Sequence, residues 1–219
     1  MKSSRSKLLR AVVGCLIVQL CVGILYLWSV FKQASMAHFG WENGAVNLVA
    51  SYMLLAFCLG GLVGGILQDR IGSKPVCVCG VALFGVGILA SSFLPAGAPI
   101  ALFYFTYCLC AGMGTGFAYG AVLSCIQKWF PHRRGFATGL AVSAFGLSAV
   151  VFSPVINALL GRMSLPMTLR TLAIVFLAVG LSACTQISLP DQSYIDSLNL
   201  PAAKTSGVKS IPLRDAIRT

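Results

Sequence analysis

Asp69 and Arg70, with Lys74 four residues on, stand between two long apolar stretches, since residues 47–67 and 75–94 hold no charge. An adjacent acid and base can pair with each other or with groups at neighbouring helix ends. That is electrostatic locking rather than bond-making chemistry. Gly72 lets the backbone turn sharply, and Pro75 suits the start of the next helix, where its missing N–H is no loss. The nine cysteines all fall within or at the ends of apolar stretches, and Cys77/Cys79 and Cys108/Cys110 form two C-x-C pairs. A metal would need further ligands converging inside lipid, whereas the two histidines, His38 and His132, fall in expected loops. The cysteines therefore read as small, soft packing residues, with no disulfide framework implied. A nucleophile at Ser148, within Gly146-Leu147-Ser148, would need a base, and no histidine follows it. Hydrolytic chemistry is set aside, and no enzyme activity is expected.

Aromatic and glycine residues offer binding rather than reaction. Tyr26, Trp28 and Phe31 close the first apolar stretch. Trp28 and Phe31 fit an interfacial aromatic belt, and Tyr26 alternatively offers its hydroxyl to a ligand in a central cavity. Trp41 is expected to anchor the second helix. Gly60/Gly64 and Gly61/Gly65 form overlapping G-x-x-x-G patterns, and Gly112, Gly116 and Gly120 fall on one stripe. Such spacing lets two helix backbones approach closely. A nucleotide fingerprint would need a strand and a βαβ unit, which this sequence does not offer. Lys128-Trp129-Phe130-Pro131-His132-Arg133-Arg134-Gly135 combines aromatic anchors with bases and suits anionic lipid headgroups. Pro154 should bend the helix that follows.

Composition supplies the elements that must position these residues. The 219 residues are 58% hydrophobic and only 10% charged, against roughly 25% charged in a soluble domain. Six apolar segments, near 11–31, 47–68, 75–95, 100–127, 136–160 and 168–188, reach the roughly 20 residues that a spanning helix needs. The first is too long for a cleaved signal peptide. Residues 1–10 and the tail 190–219 flank the resulting 11–189 bundle. The net charge of +11 is confined to short connections, which excludes a nucleic-acid-binding face. Thirteen Lys and Arg fall on one side: Lys2, Arg5, Lys7, Arg10, Arg70, Lys74, Lys128, Arg133, Arg134, Lys204, Lys209, Arg214 and Arg218. Only Lys32, Arg162 and Arg170 fall on the other. The positive-inside rule then expects both termini in the cytoplasm of a cell (plasma or inner) membrane protein. No charge lies in the middle third of a span, so the helices offer no obvious proton relay or counter-ion.

The segment Gly65-x-x-x-Asp69-Arg70-x-Gly72-x-Lys74 resembles the loop signature of the major facilitator superfamily, with Ser73 where a further base is usual. Three further motifs are similar to the oxalate:formate antiporter and monocarboxylate-transporter branch. They are Tyr26-x-Trp28-Ser29, Gly112-x-Gly114-x-Gly116-x-x-Tyr119-Gly120 and Trp129-Phe130-Pro131-x-x-Arg134-Gly135. The resemblance implies an all-α membrane protein whose six transmembrane helices form the N-terminal half of a rocker-switch bundle. It makes Tyr26, Trp28 and Tyr119 cavity residues that bind substrate. It makes Asp69, Arg70 and Lys74, with Gly65 and Gly72, a latch that favours one state. The tail resembles the linker between halves, and Ile211–Thr219 the amphipathic stretch before a seventh helix.

The expected function is secondary transport of small organic anions, such as mono- or dicarboxylates, by alternating access. No cofactor or metal is expected. Expected partners are the substrate, membrane lipids, and a missing C-terminal half or a second copy. A facilitator for a neutral solute, or a non-transporting subunit that assembles with a partner half, are the alternatives.

Overall fold

The computed structural model describes residues 2–190 and Tyr194. Six helices are long and apolar enough to cross a membrane: α1 (Ser6–Phe39), α2 (Asn43–Ile71), α3 (Ser73–Ser91), α4 (Ile100–Trp129), α5 (Pro131–Leu160) and α6 (Leu165–Gln186). The expected tail, including Ile211–Thr219, lies outside the described residues apart from Pro190 and Tyr194.

The first helix departs most from expectation. Helix begins at Lys2, so residues 2–10 continue the helix of the expected span at 11–31. It also continues past residue 31, so Lys32 and His38 lie on a helix and not in a loop. Gly40, at φ 72°, ends it, its N–H bonding back to the Met36 carbonyl. Only a residue without a Cβ takes that left-handed turn cheaply. Gly72 plays the same part between α2 and α3, at φ 89° with its N–H on the Gln68 carbonyl. Helix α5 runs unbroken past Pro154 from Arg134 to Leu160.

Helix α4 packs against both α2 and α3, α1 against α5 and α6, and α3 against α6. Glycines make the closest approaches. A methyl at Gly60 would lie 2.5 Å from the Met113 carbonyl oxygen, and one at Gly112 2.8 Å from the Ala56 Cβ. A methyl at Gly116 would strike the Phe57 carbonyl, and Gly64 rests on Phe117. The two expected glycine stripes thus face each other along one α2–α4 seam. Gly120, Gly61 and Gly65 do not point into it, because a Cβ added at any of them would meet nothing within 4 Å.

Two irregular turns sit in the bundle. Residues Gly23–Leu27 tighten α1 into a 3-10 turn, and Tyr104–Ala111 widen α4 into a π-helix. At the first, Gly23 lies against the Phe145 carbonyl and Ser148 of α5. At the second, a methyl on Gly87 of α3 would come within 2.7 Å of the Ala111 nitrogen and the Thr106 carbonyl. At each irregular turn a glycine makes the close approach possible, Gly23 within the first turn and Gly87 on the helix facing the second.

Candidate functional site

Tyr26, Phe57, Tyr119 and Phe145 come from α1, α2, α4 and α5 and meet around the Phe145 ring. Ring centroids are 5.4 Å apart for Tyr26–Phe145, 5.1 Å for Tyr119–Phe145 and 5.4 Å for Phe57–Tyr119. All three pairs are edge-to-face, the arrangement that ring quadrupoles favour. Phe57 and Phe145 sit at the middle of their helices, and Tyr26 and Tyr119 within five residues of the middle of theirs. The wall is thus near mid-membrane if the helices span.

Burial gives the wall an inside and an outside. Phe145 is buried, Phe57 and Tyr119 are half-buried, and Tyr26 is 56% exposed. The sequence places Tyr26 either on a belt or in a cavity; the structure sets it on the open side of this wall. The reason is local: the 3-10 turn at Gly23–Leu27 buries Leu25 and Leu27 and turns the residue between them outward. Neither tyrosine hydroxyl has a hydrogen-bond partner among the described residues, so both remain available to a ligand. The wall carries no charge.

Trp28 is placed apart from the tyrosines. It is 5% exposed, and its indole Nε1 donates to the Val46 carbonyl at 3.0 Å. Its ring packs on Phe103 and Tyr107, each 5.7 Å away. Phe31 is buried too. The belt expected of these two residues is therefore replaced by an internal cluster in which Trp28 ties α1 to the first turns of α2 and α4. Trp41, expected to anchor the second helix, stacks on Phe39 at 4.1 Å and donates to the Ala98 carbonyl at 2.8 Å, and so ties the end of α1 to the connection between α3 and α4. Phe57 and Phe145 have no motif of their own. Only their mid-helix positions in α2 and α5 could have flagged them.

At the end of the bundle that carries the N-terminus, Asp69 and Arg70 are exposed and form no ion pair among the described residues. Lys74 instead bridges elements, its Nζ donating to the Thr185 carbonyl of α6 at 3.2 Å. Cys77 and Cys184 pack sulfur to sulfur at 3.6 Å between the same two helices.

The family model of the Major Facilitator Superfamily matches residues 12–213. This chain belongs to the major facilitator superfamily. It is similar to monocarboxylate transporter 13 of Rattus norvegicus, 29% identical over 143 residues, covering 65% of this chain and 33% of that protein. It is likewise similar to the MFS-type transporter YhjX of Escherichia coli, 29% identical over 157 residues, covering 71% of this chain and 38% of that one. The chain thus spans about a third of the length of these curated relatives. Its fold matches that of the proton:xylose symporter XylE with a TM-score of 0.67 and 16% identity, over 84% of this chain and 44% of the symporter.

Proposed function

We propose that this chain is the N-terminal half of a secondary carrier that moves small organic anions, mono- or dicarboxylates, by alternating access. The observation that carries the reading is the uncharged aromatic wall at mid-helix with two unengaged hydroxyls. Tyr26 and Tyr119 would donate to a carboxylate while Phe57 and Phe145 exclude water around its carbon chain. Similarity to a protein named as a monocarboxylate transporter supports this substrate class. Cations to balance the carboxylate would come from a second six-helix half, since the spans of this chain carry none near the wall.

The open faces support such a half. The apolar windows of α2 and α5 are 28% and 22% buried, below those of the other four helices. A second half, or a second copy of this chain, would cover them. The basic end is read as cytoplasmic, and Asp69, Arg70 and Lys74 there would act as a latch on one state of the cycle. A facilitator of a neutral solute is the second reading, favoured by the absence of charge on the wall.

Calorimetric titration of the purified carrier with oxalate, lactate and a neutral sugar tests the reading. Carboxylate binding that weakens in Tyr119→Phe is expected. Sugar binding without carboxylate binding would favour the second reading, and no solute binding at all would leave only an assembly subunit.

A further inference from the structure

A cavity of about 450 Å³ opens at the basic end of the bundle, away from the aromatic wall, lined by Ser124, Gln127, Lys128, Arg134, Leu189 and Pro190, with Pro131 at its rim. Two cations, an amide and a hydroxyl converge there, and no acidic side chain lines it among the described residues. Its walls are fixed. The Trp129 indole donates to the Ser188 carbonyl at 2.8 Å, and the Cys125 thiol reaches the same oxygen at 3.6 Å. These bonds hold Leu189 and Pro190 across from the α4–α5 corner. Gln127 Nε2 donates to Thr138 Oγ1 at 2.9 Å, which ties α4 to α5 at the cavity.

Beside this corner the Phe130 and Phe136 rings pack edge to face, 6.0 Å apart, and Phe136 is 60% exposed. Residues 136–160 of α5 carry no charge, and Lys128, Arg133 and Arg134 come just before them, so this corner falls where the apolar span gives way to the charged headgroup layer. The cavity therefore opens where lipid phosphates lie. Arg134 can engage two oxygens of one phosphate through its planar fork, and Lys128 adds a point charge. We propose that this cavity binds a phosphate-bearing anion, foremost the headgroup of an anionic phospholipid. A soluble glycerol phosphate carries the same chemistry.

Native mass spectrometry of the protein from equal mixtures of phosphatidylglycerol and phosphatidylcholine tests the site. Phosphatidylglycerol should be retained preferentially, by about fivefold for each cation engaged. Lys128→Gln with Arg134→Gln, both at exposed positions, should bring the two lipids level. Ser124→Trp fills the cavity and keeps both charges, so it too should abolish the preference. A wild-type preference in S124W would overturn the site in favour of diffuse surface charge. Glycerol phosphate titrated in the absence of lipid separates the sources. Saturable binding that the double variant loses, without lipid preference, would assign a soluble organophosphate. Asp191 follows Pro190 in the sequence, and binding seen only in Asp191→Asn would overturn the proposal by showing the site to be filled from within. Equal retention of the two lipids together with no glycerol phosphate binding would overturn it outright.

Discussion

Tyr26 and Tyr119 bring the hydroxyls to the aromatic wall, and the two rings reach it differently. Tyr119 is held between Phe57 and Phe145, whereas Tyr26 stands half in the open against Phe145 alone. A held hydroxyl loses less freedom on binding, so Tyr119 should contribute more to affinity. One hydrogen bond to a charged ligand is worth about 1.5–3 kcal/mol, and Tyr119→Phe should weaken carboxylate binding at least roughly tenfold. Tyr26→Phe should weaken it less, and the same titration ranks them. Trp28 gives the contrasting case. Trp28→Phe removes the indole hydrogen bond to the Val46 carbonyl, at about 0.5–1.5 kcal/mol, so the thermal unfolding midpoint should fall while carboxylate affinity stays within about twofold of wild type. A large loss of affinity with no loss of stability would return Trp28 to the binding site. The sequence could name Tyr26 and Tyr119 only through motif resemblance. It placed Trp28 beside them through that motif, although residues two apart on a helix point about 200° away from each other, and Tyr26 and Trp28 do face opposite ways.

At the scale of the helix, glycine spacing was legible and glycine exposure was not. The i, i+4 rows at Gly60/Gly64 and Gly112/Gly116 must line one helix face each, and they do meet across the α2–α4 seam. Gly120 continues the same row, yet the seam ends before it because the helices part. Spacing sets the face of a residue but not how far the partner follows. Gly116→Ala should therefore destabilise the bundle by about 1–3 kcal/mol through overpacking. Gly120→Ala should be neutral or stabilising by up to about 1 kcal/mol, from helix propensity alone. Unfolding of the two variants in mild detergent checks the contrast, and equal losses would contradict it. The π-helix at Tyr104–Ala111 left no signal in hydropathy, since its residues are as apolar as the rest of α4. Its cause is tertiary, in the approach of Gly87 and in the Tyr104 hydroxyl, which donates to the Ala45 carbonyl at 2.7 Å.

At the scale of the whole molecule, hydropathy and segment length specified six helices because lipid leaves so few ways to satisfy a backbone. What fills the open faces of α2 and α5 was not legible, since lipid and a second protein half select the same apolar residues. The latch proposed at the exposed Asp69 and Arg70 belongs to this scale too, because a latch needs a partner that another state supplies. In the complete carrier, Asp69→Asn should slow exchange severalfold while leaving membrane insertion and binding affinity intact. Wild-type exchange rates would remove the latch.

We propose that this wall serves carboxylate transport. Counterflow in proteoliposomes made with the carrier as isolated from its own membrane is the most direct test. Vesicles loaded with unlabelled oxalate or lactate should accumulate the labelled acid transiently, and the overshoot should shrink in Tyr119→Phe. Equal traces for loaded and empty vesicles, or an overshoot with a neutral sugar and none with any carboxylate, would contradict it.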